Sequence, residues 1–304
     1  MSIPSRVTIN EVGPRDGLQN EDAYVETEKK VEFIERLADT GLHRIEAISF
    51  VHPKAIPQMR DAIAVMDALP RREGVTYLAL VPNEVGARNA IAAKVDEIGT
   101  VVSASESHNQ ANVQRSIDES LNGISGVAQL AAEAGIPWQG YVSTAFGCPY
   151  EGDVPASKVV DVARALVDFG ATTISLGDTI GAANPRQVTS LIGTVRDALP
   201  CIPFRLHFHD TRGTGLANVL AALEAGIDSF DGSVGGLGGC PYAPGASGNV
   251  ATEDLVYMLH EMGIDTGVDL EKLVGVARWA EELVGRPLPG RVKQAGDSFF
   301  RGAA

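Results

Sequence analysis

Eight short segments rich in β-branched or aromatic residues recur about every 30 residues, and this spacing constrains the fold more than any other feature. They are VTINEV (7–12), RIEAISF (44–50), VTYLALV (75–81), EIGTVVSA (97–104), WQGYVST (138–144), TTISLGD (172–178), FRLHFHD (204–210) and SFDGSV (229–234). Each is bounded by Gly, Pro or Asp, which marks it as a strand. Helical periodicity fills the gaps. EKKVEFIERLADTG sets Val31, Ile34 and Leu37 on one face and stops at Gly41. ASKVVDVARALVDFG stops likewise at Gly170, and NPRQVTSLIGTVRDALP opens with Asn184 as N-cap and Pro185 in the first turn. Strands alternating with helices in this way predict an α/β chain closed into a (β/α)8 barrel, the TIM-barrel architecture. A doubly wound dinucleotide-binding sheet is the runner-up, but no G-x-G-x-x-G follows the first strand. With no linker or low-complexity run, a single domain over 1–304 is expected, the barrel spanning about 7–263 and a C-terminal helical extension about 264–304.

Composition narrows the partners. A formal net charge of −14 argues against a nucleic-acid binder, which needs a basic face. No apolar run approaches the roughly 18 residues that span a bilayer, so no membrane partner is expected. MSIPSRVTINEV runs almost directly into the first strand, leaving no room for a targeting segment. The three cysteines, Cys148, Cys201 and Cys240, match no zinc spacing. A cytoplasmic, reduced setting is the simplest expectation. Cys201 is expected to be a small buried hydrophobe.

Barrel enzymes place their chemistry at the C-terminal ends of the strands. After the first strand, GPRDGLQNE offers Arg15, Asp16 and Gln19. Asp16 suits a metal, and the planar fork of Arg15 suits a carbonyl or carboxylate oxygen. Taken alone, the stretch could equally be a turn with a solvated ion pair. Glu46 is a charge inside an apolar strand, costly to bury unless paired. Asp178 and Thr179 end the sixth strand, where Asp also makes a good turn cap. The seventh strand carries the strongest signal, LHFHD. Side chains alternate along a strand, so His207 and His209 share one face and can chelate one ion, with Asp210 available to orient a histidine. After the eighth strand, GGLGGCPYAPGASGN ends in Asn249, whose amide oxygen is a plausible fourth ligand. Nitrogen and oxygen ligands without thiolate favour Mg2+ or Mn2+.

These motifs together resemble a known family. NEVGPRDGLQNE, IEAISFVHPKAIPQM, LGDTIG, HFHDTRGTGLAN and GGLGGCPYAPGASGNVATEDLVYML are similar, in order from about residue 7 to 295, to hydroxymethylglutaryl-CoA lyases. These lie within the metal-dependent TIM-barrel lyases and carboligases. The resemblance implies cleavage of a 3-hydroxy-3-methylglutaryl-CoA thioester to acetyl-CoA and acetoacetate, a step of leucine degradation. It implies that Asp16, His207, His209 and Asn249 hold the metal, that Arg15 stabilises an enolate, and that Cys240 is a catalytic thiol. It also implies that Glu46 and Asp178 are active-site acids, with a carboxylate or histidine such as His207 as base. A relative acting on another 3-hydroxyacyl-CoA, such as citramalyl-CoA, is the alternative. An acetyl-CoA carboligase, which would lack the cysteine loop, ranks below it. Lys293 is a candidate contact for the CoA nucleotide, His108 is expected at the surface or rim, and a homodimer is expected. The glycine loop is expected to divide into a mobile flap, 235–247, and an anchored Asn249.

Overall fold

The computed structural model describes residues 3–239 and 248–295. Eight parallel strands close into a barrel in chain order: β1 Thr8–Glu11, β2 Arg44–Ser49, β3 Thr76–Leu80, β4 Glu97–Ser103, β5 Trp138–Ser143, β6 Thr173–Asp178, β7 Phe204–Phe208 and β8 Ser229–Gly232. Each expected strand is present, trimmed by one or two residues where the chain turns into a loop. Closure comes from β1 pairing with β8, which sets Asn10 opposite Asp231.

The surrounding helices are α1 Thr27–Ala38, α2 Ala62–Ala68, α3 Glu84–Ala92, α4 Glu106–Val113, α5 Ile117–Ala134, α6 Ala156–Asp168, α7 Pro185–Ala198, α8 Gly215–Glu224 and α9 Thr252–Glu261. Local chemistry starts and stops them as the sequence reads. Asn184 accepts from the Gln187 N–H while Gln187 reaches back, a capping box with Pro185 in the first turn. Gly135 ends α5 at φ +67°, a backbone angle that a side chain resists. Two further helices, α10 Leu270–Val284 and α11 Val292–Ala295, lie outside the eightfold repeat. Trp279 of α10 stacks on Phe33 of α1 with ring centroids 5.8 Å apart, so the extension rests on the barrel's outer layer.

The apolar core sits between strands and helices. Ile9, Ile45, Leu206 and Phe230 from the strands are fully enclosed with Phe33, Leu37, Val188 and Leu223 from the helices. Each such side chain contributes about 1.5–3 kcal/mol of transfer free energy. The opposite, inward strand faces are polar: Asn10, Glu46, Gln139, Arg205 and Asp231 are all buried there. Two smaller expectations fail. Cys201 is exposed, because it falls in the loop between α7 and β7 rather than in either element. His108 is 2% exposed, with its Nδ1 3.1 Å from the Ser103 hydroxyl, because α4 folds back over the end of β4.

Candidate metal centre and active site

The first strand delivers its residues through a tight bend. Gly13–Gly17 forms one π-helical turn led by Pro14, a distortion often found at functional sites. Glu11 holds this turn from below, accepting the Gly13 N–H at 2.8 Å. The bend turns Arg15 and Asp16 toward the barrel axis. The Arg15 guanidinium is then fixed on both sides, donating to Asp16 Oδ1 at 2.6 Å and to Glu46 Oε2 at 2.8 Å. A register irregularity in β2 between Glu46 and Ile48 accompanies the inward placement of Glu46, which has no exposure. The buried charge inside β2 is therefore paired, as its cost requires. Gln19 donates to Asp16 Oδ1 at 3.1 Å.

The seventh strand behaves as its period predicts. The His207 and His209 rings lie 5.2 Å apart, with their Nε2 atoms facing each other at 3.1 Å. One ligand atom each from Asp16, His207 and His209 fall within 4.8 Å of one another. Asn249 joins them from the root of the glycine loop, donating through Nδ2 to Asp16 Oδ2 at 2.8 Å and to the Leu237 carbonyl at 3.0 Å. Its Oδ1 is buried without a protein partner. Two imidazole nitrogens and a carboxylate converging within 4.8 Å, beside an amide whose oxygen has no protein partner, fit a divalent cation, and with no thiolate among the described ligand atoms a hard one is favoured. Asp16 and His207 retain side-chain exposure of 15% and 12%, so the approach from solvent is over these two.

The electrostatics suit the same reading. Burial alone would raise the Asp16 carboxyl, but Arg15, His207 and His209 outweigh it and lower it from 3.8 to about 2. Burial, reinforced by His207, depresses His209 to about 3, leaving the neutral imidazole that a metal needs. His207 is raised: Asp231 and Asp16 overcome the effect of burial. Burial would lower Arg15, yet Glu46 and Asp16 hold it firmly protonated. Glu46 is raised by burial against the pull of Arg15.

Other predicted residues fall elsewhere. Asp178 accepts the Ala182 N–H at 2.8 Å and the Ala183 N–H at 3.1 and 3.2 Å, so it caps the loop after β6. Burial still pushes it up to about 6, and the charge of His207 reaches it. Lys293 is buried and paired with Glu281, inside the packing of α11 on α10, rather than free for a nucleotide. Asp210 orients no histidine; it accepts the Gly215 N–H at 2.8 Å at the start of α8. Cys240 lies outside the described residues. Part of the expected flap is anchored: 235–238 are buried, Gly235 donates to Glu253 Oε2 at 2.9 Å, and its carbonyl accepts from Gly290 at 3.0 Å.

Three residues escaped the sequence reading. Asp231 contacts His207, Asn10 contacts Asp231, and Arg205 continues the inward face of His207 and His209. The signal was available. SFDGSV holds Asp231 as a charge inside a strand, as RIEAISF holds Glu46, and Arg205, His207 and His209 share one parity.

A closed parallel barrel whose strand ends gather two imidazoles, a carboxylate and an amide beside a buried Arg–Glu pair defines a class, the barrel enzymes built around a divalent-cation site. Within it, the chain belongs to the HMGL-like family, whose model matches residues 6–279. It is 54% identical over 291 residues to a hydroxymethylglutaryl-CoA lyase of Bacillus subtilis, covering 96% of this chain and 97% of that one. A crystal structure of the Bacillus subtilis HMG-CoA lyase superposes with a TM-score of 0.95 at 54% identity, covering 97% of this chain and 99% of that one. An HMG-CoA lyase from Acinetobacter baumannii, solved in complex with coenzyme A and 3-methylmalate, superposes at 0.93 with 42% identity and 97% coverage of both chains. Among the described residues no helix is long and apolar enough to cross a membrane.

Proposed function

We propose that this protein is a lyase that cleaves 3-hydroxy-3-methylglutaryl-CoA to acetyl-CoA and acetoacetate. The observation that carries this reading is Arg15, clamped between Glu46 and Asp16 beside the ligand cluster, in a chain 54% identical to a lyase of that name. Asp16, His207, His209 and Asn249 would hold a divalent ion, read here as Mg2+ or Mn2+. When bound, the ion supplies Lewis acidity toward the substrate's hydroxyl and a neighbouring oxygen.

The rest of the reaction falls to the side chains. The hydroxyl proton at C3 passes to a base. Asp178, raised to about 6 at the end of β6 and within reach of the charge of His207, is suited to accept it near neutrality. As that proton leaves, a carbonyl forms at C3 and the C2–C3 bond breaks, its electron pair going to C2 as the acetyl-CoA enolate. Arg15 stabilises the enolate oxygen. Its guanidinium is prefixed by two carboxylates, so it needs no reorganisation as charge develops. Cys240 then supplies a proton to C2 and regains one from solvent.

The same reading makes the chain a single lyase domain, a homodimer, and a cytoplasmic enzyme. The test is acetyl-CoA release coupled to citrate synthase, run on hydroxymethylglutaryl-CoA, citramalyl-CoA and longer 3-hydroxyacyl-CoA thioesters with added Mg2+ or Mn2+. Fastest turnover on hydroxymethylglutaryl-CoA supports the assignment. Release only from citramalyl-CoA moves it to the alternative, and no release from any thioester ends the lyase reading.

A further inference from the structure

Behind the ligand cluster the barrel interior holds a chain of buried polar groups that the proposed reaction does not use. Asp231 on β8 has a side chain 1% exposed. Its Oδ2 lies 3.0 Å from His207 Nδ1. Its Oδ1 accepts from Asn10 Nδ2 at 2.9 Å, and Arg205 Nε stands 3.7 Å away. Arg205 is itself held, donating to the Ser229 hydroxyl at 3.0 Å and to Gln139 Oε1. The group is thus fixed from four strands: β1, β5, β7 and β8.

Hydrogen-bond inventory then sets the protonation of one ring. A carboxylate only accepts, so a bond to Asp231 requires hydrogen on His207 Nδ1. In the neutral ring this leaves the lone pair on Nε2, which faces His209 Nε2. The 3.1 Å separation of the two Nε2 atoms agrees, with His209 Nε2–H as donor and His207 Nε2 as acceptor. His209 has no such support, since its Nδ1 is buried without a protein partner. A second polar group behind a ligating histidine fixes its tautomer and ring orientation and raises its basicity.

We propose that Asp231, steadied by Asn10 and Arg205, is the positioning residue of the metal centre: it locks His207 in the Nδ1–H tautomer and makes it the stronger of the two imidazole ligands. Asp231 touches neither metal nor substrate and acts only through His207. The inference rests on Asp16, His207, His209 and Asn249 being the ligands.

Asp231→Asn separates this from a merely structural role. The new amide has one acceptor, which Asn10 Nδ2 claims, so its own N–H faces His207 Nδ1 and drives the ring to the Nε2–H tautomer. Metal-free protein would be titrated with Mn2+ by calorimetry, beside thermal melts. Loss of about 10–100-fold in Mn2+ affinity, with a melting temperature near wild type, is expected. Nitrogen NMR of 15N-histidine-labelled, metal-free wild type at alkaline pH, with His207 assigned through His207→Gln, is expected to show hydrogen on Nδ1. Hydrogen on Nε2 in wild type overturns the proposal whether or not the variant folds. So does a folded Asp231→Asn that binds Mn2+ within threefold of wild type. A wild-type protein that binds no Mn2+ removes the ligand assignment as well, which distinguishes the two failures.

Discussion

The carboxylate of Glu11 accepts the backbone N–H of Val234 at 2.9 Å, joining the end of the first strand to the root of the loop after the eighth. The same oxygen accepts from Gly13 at 2.8 Å, and the other accepts the Thr252 hydroxyl at 2.6 Å. One buried side chain therefore sets the Arg15–Asp16 turn and the Asn249 loop in a common frame. Close packing reinforces this: a Cβ on Gly17 would stand 2.8 Å from the Leu237 Cβ.

Glu11→Ala would strand three buried donors at once. At about 1–3 kcal/mol for each unmet group, a loss of at least about 3 kcal/mol is expected, with weaker Mn2+ binding. Glu11→Gln, which keeps an acceptor, should lose less. Urea denaturation checks both. A Glu11→Ala protein within about 1 kcal/mol of wild type would show that the clamp contributes little.

Arg15→Gln tests the enolate role. Loss of one preorganised donor to developing charge costs about 100- to 1,000-fold in kcat. Mn2+ content should fall far less, since Arg15 is not a ligand. Near-normal turnover would remove Arg15 from the mechanism.

Glu253 gives the protein a signed pH dependence. Burial first, then the charges of Asp254 and Glu11, push its carboxyl from 4.5 up to about 8, against the N–H groups of Gly235 and of Glu253 itself. Between these values the folded state keeps a proton that the unfolded state has released. Stability is therefore full below about 4.5 and falls as pH rises through about 8. Glu253→Gln removes the titration. From pH 6 to 9 the wild-type melting temperature should drop by roughly 5 °C more than that of the variant. Parallel curves would refute the assignment.

Gly248→Ala should disturb the metal site through backbone alone. Gly248 sits at φ +84°, and a Cβ there would lie 2.1 Å from the Gly238 carbonyl oxygen. The neighbouring Asn249 must shift, and Mn2+ affinity should fall about tenfold, within the range seen when support for a ligand is lost. Gly263→Ala is the control: its φ is +75° but it faces open space, so only the left-handed backbone cost of about 1–2 kcal/mol is expected. Equal effects in the two variants would exclude the carbonyl contact as the cause.

Cys240→Ser should retain Mn2+ and substrate binding yet lose most turnover, whereas Asn249→Ala should first lose metal. Calorimetry beside the coupled assay separates them, and the reverse pattern would exchange their roles.

Much of this site was legible before any coordinates. His207 and His209 share a face because a strand alternates its side chains, and LHFHD needed nothing further. Arg15 and Asp16 were legible as residue types but not as a geometry, since their turn has π-helical closure that no simple propensity specifies. Asp210 and Asp231 show the limit most clearly. By position in sequence, Asp210 adjoins the histidines, yet it caps α8, while Asp231 lies 24 residues from His207 and touches it. Lys293 shows the same limit in reverse: a tail lysine by sequence, a buried ion pair by packing.

The order of elements and the faces of their side chains were determined by the chain alone, because strand and helix periods and their caps are properties of consecutive residues. Which inward residues meet was decided only when the barrel closed. Pairing of β1 with β8 sets Asn10 opposite Asp231, and the parallel register of β7 beside β8 brings His207 to the same carboxylate. Stagger around a closed sheet depends on all eight strands packing together, so no local stretch encodes it.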